Sequence, residues 1–458
     1  MSIDSPQAIG RYRTRERRRE WLETMLRRNA GCRYLRNFGS PRTEAEYVRQ
    51  VPITSYEDLS PYITDLENCD SNVLFDGSPV AFERTGGSCG GSKLIPYSRD
   101  GLHDFQRILA PWLRRTIERY QISGAVYFST SPVARTPESI GGLSVGLSDD
   151  AYLGKEAGIW LQEKSVVPAS VAETSDIEAW RQRTLDHLKS AGNLELISVW
   201  SPTFLLRLLD GISNTEGYWP NLKVISCWAS GSARRHLEKV IRLFPQAIIE
   251  PKGLLSTEGI ITVPDADGNP RLARHGYFEF WQQGQCHAAS ELSAGGEYEV
   301  ILTTASGLYR YASGDRVRCE QSCVQGDPIL EFIGRDSMTS DLVGEKLTEA
   351  FVSKCLNGFS GFAMLVPCFD PAGYVLVCDS SPTTERIQEF ENRLRLNPQY
   401  NYARRLGQLG PVSLLTCRNP HEVVEQVMYK RGTRLGDIKP TSLRSEEFWL
   451  PLFKERLS

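Results

Sequence analysis

The chain has 458 residues, too many for one ordinary core, and a formal net charge of −3, which gives no general pull toward nucleic acid or anionic membrane. Apolar residues make up 40% and charged residues 24%, the balance of a soluble globular protein, and no uncharged apolar run approaches a membrane span. The N-terminus is polar and basic, without the apolar core of a signal peptide, and the eleven cysteines are scattered. Cys319 and Cys323 form the one close pair and have no second pair or nearby histidines at metal-ligand spacing, so the thiols read as reduced, in a cytoplasmic protein.

In chain order, Gln7 to Arg36 reads as helix, with Trp21, Leu22, Met25 and Leu26 as its apolar stripe and the arginines of RYRTRERRRE mostly elsewhere. From Gly124 strands and helices alternate. GAVYFSTS is a strand, Ile177 to Leu188 an amphipathic helix, ELISVWS a strand, and a helix starts at Pro202. LKVISCW, a helix from Ala233 to Phe244, and the strand QAIIE follow, which together predict an α/β layer with partly parallel strands. GYFEFWQ, GEYEVILTT and PILEFIG then come without long helices between them and predict an antiparallel sheet or barrel. Past Gly334 a compact α+β unit is expected: a helix over Leu347 to Leu356, a hairpin of GFAMLVPCF and GYVLVCD, a helix over Thr383 to Leu396, the strand VSLLT and a helix from Pro420 to Met428. This divides the chain into a large N-terminal domain, 1–335, and a small C-terminal α+β domain, 336–458, with a polar hinge at Arg335 to Asp341.

Four blocks carry chemistry. The first, RTGGSCGGSKLIPYS (Arg84 to Ser98), combines hydroxyls, four glycines and Lys93, a set suited to cradling phosphate. It is not a Walker loop. Gly86 and Gly91 have the right spacing, but Ser92 stands where the lysine must be. The second, GLLSTEGIITV, groups Ser256, Thr257 and Glu258, and a carboxylate beside hydroxyls can hold a Mg²⁺ bound to ATP phosphates. In the third, SGLYRYASGDRV, Asp315 follows Gly314, expected to project from a tight turn where a carboxylate can accept ribose hydroxyls. The fourth, FIGRDSMTSDLVGEKL, puts Arg335 at a strand end before the domain border.

The first block resembles the phosphate loop of adenylate-forming enzymes: Thr85, Gly87, Ser88, Gly90 and Lys93 fit, while Gly86, Cys89 and Ser92 depart. Order and spacing of all four blocks match that class, and GLYRYASGDRV is similar to a signature of the GH3 family of acyl acid amido synthetases. VPITSYEDLSPYI, SDDAYLG and WPNLKVISCWASGSA resemble further segments of that family, and RGTRLGDIKPTSLR resembles its closing pattern. The family's aromatic residue before Ser256 is replaced by Leu254 and Leu255, and Asp437-Ile438 stands where Gln-Tyr is usual.

The resemblance implies an adenylate-forming fold and an ATP- and Mg²⁺-dependent ligase that adenylates a small carboxylic acid and passes the acyl group to an amine or amino acid. Transfer to coenzyme A or a carrier thiol is the alternative. It implies Lys439 as the catalytic lysine, in preference to Lys430, and Glu258 as catalytic residue and metal ligand. Nucleotide contacts would come from Thr85, Gly87, Ser88, Cys89, Gly90, Lys93, Ser256, Thr257, Asp315 and Arg335, and the acyl pocket from Trp200, Ser230 and Gly231. The small domain would rotate about Asp336 between half-reactions. Partners would be small molecules only, with neither nucleic acid nor membrane.

Overall fold

The computed structural model describes residues 6–85, 93–129, 138–147, 149–174, 176–323, 327–335 and 338–456. The chain packs as two compact units, each built from separated stretches: Met1–Gly124, Arg135–Ser165 and Pro251–Phe332 form the first, and Ala125–Ala134, Val166–Glu250 and Ile333–Ser458 the second.

In the first unit, the expected N-terminal helix is two helices, Pro6–Asn29 and Arg33–Asn37. Gly31, a poor helix former, falls in the break, and the Cys32 N–H turns back to the Asn29 carbonyl. The sheet here has seven strands in the order Gln285–Ala288, Tyr277–Gln282, Glu297–Thr303, Tyr311–Gln321, Ile329–Arg335, Pro270–Leu272, Thr262–Pro264. Its pairing is antiparallel through the first four strands and the last three, as the shortage of intervening helices predicted.

The second unit contains a four-stranded sheet, Ala125–Phe128, Leu194–Ser198, Val224–Trp228 and Ile248–Lys252, whose first three strands pair in parallel. Its helices begin where local chemistry directs: the Asp176 side chain caps Ile177–Ser190, and Ser201 caps Pro202–Leu208 with Pro202 in the first turn. The strands Ala363–Phe369 and Ala372–Cys378 form the expected hairpin, and Ser413–Thr416 adds in parallel to the second of them. Both faces of this hairpin are covered. Met364, Val366, Val375 and Val377 join a core with Tyr127, Trp180, Phe204 and Trp219 of the α/β layer, together with Trp449 and Phe453. The alternate residues Leu365, Tyr374 and Leu376 pack with Phe390 and Tyr400 on the other side. Residues 362–453 therefore share one apolar core with residues 127–244.

Candidate active site

In the first unit, the candidate phosphate loop joins two paired strands. The strands Ala81–Arg84 and Leu94–Tyr97 pair antiparallel with Arg84 opposite Leu94. The Thr85 N–H donates to the Lys93 carbonyl at 2.8 Å, and the Lys93 N–H donates to Thr85 Oγ1 at 3.0 Å, closing the neck. Gly87, Ser88, Cys89 and Gly90 lie outside the described residues. A Walker loop runs straight into a helix N-terminus, whereas this loop leads into a strand.

Lys93 is held over the loop neck by two tyrosines. Its Nζ donates to Tyr311 Oη at 3.1 Å and lies 5.3 Å and 5.7 Å from the ring centres of Tyr56 and Tyr311. The Tyr56 hydroxyl accepts from the Leu94 N–H at 2.9 Å, so the same ring grips the neighbouring backbone. Thr54 bridges to Tyr311, and the Thr54 N–H donates to the Arg310 carbonyl at 2.9 Å, which brings VPITSYEDLSPYI beside GLYRY.

The other residues of GLYRY are built into the core. The Tyr309 hydroxyl donates to the Leu74 carbonyl at 2.6 Å, and its ring stacks on Tyr34 with centroids 4.9 Å apart. Arg310 makes a buried two-pronged ion pair with Glu279, Nε to Oε2 and Nη2 to Oε1, each 2.8 Å. Its Nη1 also donates to the Val48 and Val51 carbonyls at 2.9 and 2.8 Å. The signature thus holds the Val48–Thr54 segment to the sheet, and Tyr311 presents its hydroxyl to Lys93.

Glu258 sits at the tip of a second tight hairpin, in which Leu255 bridges antiparallel to Ile260 and Ser256 and Gly259 exchange N–H···O=C bonds of 3.0 and 3.2 Å. The Tyr97 hydroxyl donates to the Thr257 carbonyl at 2.5 Å, tying this tip to the strand that leaves the phosphate loop. Burial, and then the nearby Glu83 and Glu258 carboxylates, push the Tyr97 phenol far up, so it keeps the proton it donates. Among the described residues, no three His, Cys, Asp or Glu side chains form a metal cage. One carboxylate flanked by Ser256 and Thr257 instead fits Mg²⁺ carried largely by substrate phosphates, the way this ion usually binds.

Asp315 corrects the expected turn. It lies inside the Tyr311–Gln321 strand, at a bulge where the register shifts from Glu299 opposite Arg316 to Ile301 opposite Ala312. Gly314 takes φ +74° there, and Ser313 Oγ accepts from the Asp315 N–H while donating to the Val300 carbonyl, both at 3.1 Å. The Gly-Asp pair that often marks a hairpin here re-aims a buried carboxylate within a strand.

In the second unit, Trp200 and Trp228 lie at the ends of neighbouring parallel strands, their ring centres 6.0 Å apart. Lys439 Nζ stands 5.5 Å from the centre of the Trp228 ring. Two residues on, Ser230 and Gly231 (φ +54°) start the short turn Gly231–Ala233 that leads into the helix Arg234–Leu243. Lys430 is the exposed last residue of the helix Pro420–Lys430. Lys439 also lines a cavity of about 20 Å³, room for one water, with Arg235, His236, Phe362, His421 and Glu425. Burial drives His421 down to about 4 and Glu425 up to about 7, while Arg235, lowered by burial only to about 10, keeps its charge at neutrality.

Arg335 ends its strand as expected. Gly334 before it has φ +144°, and a Cβ there would meet Ala350 Cα at 2.5 Å, so the chain can pass only as glycine. Asp336, the expected pivot, lies outside the described residues. Sequence reading missed Tyr56, Tyr97 and Glu349. The aromatic spacing in TSYEDL and LIPYS was the available signal for the first two.

Among the described residues, no helix is long and apolar enough to cross a membrane. Models of the GH3 family N-terminal domain and the GH3 family central domain match residues 12–216 and 271–335, together more than half of the chain. The chain is 22% identical over 497 residues to the jasmonoyl–L-amino acid synthetase JAR6 of Nicotiana attenuata, covering 86% of this chain and 85% of that one. To the indole-3-acetic acid-amido synthetase GH3.10 of Arabidopsis thaliana it is 23% identical over 527 residues, 86% of each chain. Its fold is similar to that of AtGH3.15 acyl acid amido synthetase in complex with 2,4-DB, with TM-score 0.83, 17% identity, and 97% and 94% of the two chains covered. A 2-hydroxyisobutyryl-CoA ligase is similar at TM-score 0.58 and 13% identity over 94% and 91%. The matched domains extend across the phosphate-loop hairpin and the GLYRY strand, and on that coverage the chain belongs to the GH3 family.

Proposed function

We propose that this chain is an ATP-dependent ligase that joins a small carboxylic acid to an amine or amino acid. The observation that carries the reading is Lys93, held by Tyr56 and Tyr311 at the neck of a glycine-rich hairpin in a GH3 chain. The curated relatives are named for conjugating indole-3-acetic acid or jasmonate, so an apolar or aromatic acid is the substrate class.

In the first half-reaction a carboxylate oxygen bonds to the α-phosphorus of ATP, the bond to the β-phosphate bridge breaks, and pyrophosphate leaves. Both reactants are anionic, so the protein must supply positive charge and N–H donors. Lys93, Thr85 and the loop residues Gly87, Ser88, Cys89 and Gly90 hold the β,γ-phosphates. Ser256 and Thr257 contact them from the second hairpin, and Glu258 holds Mg²⁺, which neutralises phosphate charge when bound. Asp315 and Arg335 anchor the ribose, Lys439 stabilises charge growing at the α-phosphate, and Trp200, Ser230 and Gly231 line the acyl pocket. In the second half-reaction the amine nitrogen attacks the acyl carbon, loses a proton, and AMP leaves. Between the two steps the small domain 336–458 adjusts together with the α/β layer whose apolar core it shares. The reading places the enzyme in the reducing cytoplasm, with small molecules as its partners and neither nucleic acid nor membrane among them. The described cysteines, all free thiols, support that compartment.

ATP–pyrophosphate exchange with Mg²⁺ and a panel of aryl and alkyl acids tests the reading. Exchange is expected with at least one acid, and its absence across the panel together with undetectable AMP binding overturns the enzyme assignment. Lys439→Ala should lower exchange by about 100-fold or more, and Lys430→Ala should leave it near normal. The reverse pattern reassigns the lysine. Amide product with amine present and coenzyme A omitted is expected, and a strict thiol requirement favours the thioester alternative.

A further inference from the structure

Glu349 is a buried carboxylate, 5% exposed. It opens the short helix Glu349–Cys355, and its own N–H donates to the Met338 carbonyl at 2.8 Å. Three donors from three chain segments converge on its two oxygens. Oε1 accepts from Ser232 Oγ at 2.7 Å and from the Ser442 N–H at 3.1 Å. Oε2 accepts from the Arg335 N–H at 3.2 Å. Ser232 and Ser442 are themselves linked, Oγ to Oγ, at 2.7 Å, and Arg235 Nη1 donates to Ser442 Oγ at 3.1 Å.

The three segments carry the second unit's candidate site residues other than Trp200. Arg335 donates directly. Ser232 follows Ser230 and Gly231 in the turn beyond Trp228. Ser442 comes three residues after Lys439, in a stretch without regular helix or strand whose one backbone bridge, Leu443 to Leu365, lies beyond Ser442, so that on the Lys439 side Glu349 is the nearer anchor. Such a segment holds a side chain in place only as well as its anchors hold it. A hydrophobic anchor would also fix the segment, but it would leave three buried donors unpaired. A carboxylate is the one side chain that accepts from all of them, since an amide of the same shape presents an NH₂ to at least one N–H or O–H.

We propose that Glu349 is a positioning residue, which fixes Lys439, Arg335 and the Ser230–Gly231 turn relative to one another through Ser442, the Arg335 N–H and Ser232. The proposal rests on the ligase reading for its consequence and on the hydrogen bonds alone for its geometry, and two measurements separate these.

The first needs no substrate. Hydrogen exchange of peptides covering 438–444, and competitive reductive methylation of Lys439, are compared between the wild type and Glu349→Gln. The Ser442 amide should exchange at least about 10-fold faster and Lys439 labelling should change by about 3-fold or more, the loss expected when one buried acceptor is removed. Unchanged exchange and labelling overturn the positioning role whatever the enzyme does.

The second is a double-mutant cycle on ATP–pyrophosphate exchange in the full chain. Glu349→Gln should lower kcat by about 10-fold or more, and it should slow the Lys439→Ala variant by clearly less than it slows the wild type, because the part of its effect that runs through Lys439 is already lost. Multiplicative losses assign Glu349 a general structural role and overturn the proposal. If Glu349→Gln does not fold, Ser232→Ala, which removes one donor and leaves the carboxylate in place, must show the same non-additivity with a smaller loss of about 2- to 5-fold. A wild type that exchanges with no acid refutes the ligase reading, while the labelling experiment still decides the positioning role.

Discussion

Replacing Arg310 with methionine tests the structural reading of the GLYRY motif. Methionine keeps most of the side-chain volume and removes every donor. Glu279 loses both prongs of its 2.8 Å pair, and the Val48 and Val51 carbonyls lose their N–H partner. The two side chains are 9% and 4% exposed, so water cannot replace what is lost. Removing one partner of a buried pair typically costs about 3–5 kcal/mol. For a unit of this size, about 2–4 °C per kcal/mol converts the lower figure to a melting temperature at least about 6 °C lower. Burial already lifts the Glu279 carboxyl above its ordinary 4.5 despite Arg310, and without Arg310 the lift grows. The folded variant then holds that proton more tightly than the unfolded chain does, so its deficit widens as pH rises above about 4.5. Scanning calorimetry of Arg310→Met and Arg310→Met/Glu279→Gln at pH 5 and pH 8 reads both effects. The double variant should recover part of the loss, most clearly at pH 8. A drop under about 2 °C, or a double variant no better than the single one, refutes the argument that this arginine is a buried clamp.

Other consequences concern the phosphate loop and the acid limit. Lys93→Met should weaken Mg·ATP binding by roughly 10- to 150-fold by calorimetric titration, the equivalent of one charge-assisted hydrogen bond, while Tyr311→Phe should cost only about 2- to 12-fold. Equal losses would mean that Tyr311 contacts the nucleotide itself. His421, driven down to about 4 by burial, is neutral in the fold, so acid protonates the unfolded chain first. Stability should therefore fall as pH drops from 6.5 toward about 4, and His421→Gln should flatten that part of the urea-midpoint profile; an unchanged slope contradicts the assignment. Tyr97→Phe removes the donor to the Thr257 carbonyl and should raise the Mg²⁺ concentration needed for half-maximal exchange by about 3- to 10-fold, and an unchanged requirement separates Tyr97 from Glu258 placement.

Much of this architecture was legible in the sequence because burial leaves a pattern. Strands such as VISCW and AMLVPCF are almost wholly apolar runs, and in the structure Val224 to Cys227 and Ala363 to Pro367 are buried without alternation. The helix Pro398–Arg405 escaped notice because it buries little more than Tyr400 and Ala403 and so shows no apolar stripe. Lys93 was found from its glycine-rich context, but the Tyr311 that holds it is 218 positions away, a distance no local motif encodes. Asp315 was identified and its setting misjudged. A glycine in a left-handed conformation serves a turn and a bulge equally well, and only pairing with Glu297–Thr303 decides between them. Glu349 gave no signal because a lone acidic residue after a threonine reads as an ordinary helix start, which it also is.

The hairpin Ala363–Phe369/Ala372–Cys378, with apolar side chains engaged on both of its faces, bears on how such a protein can be recombined. A graft that exchanged residues 336–458 between two family members would replace one half of the Phe362–Trp449 core and keep the other, with mismatched volumes where Trp180, Phe204 and Trp219 meet the new strands. Exchange of specificity by cassette should therefore carry the stretches 125–134, 166–250 and 333–458 together, because the stretches that pack as one unit are not contiguous in the gene.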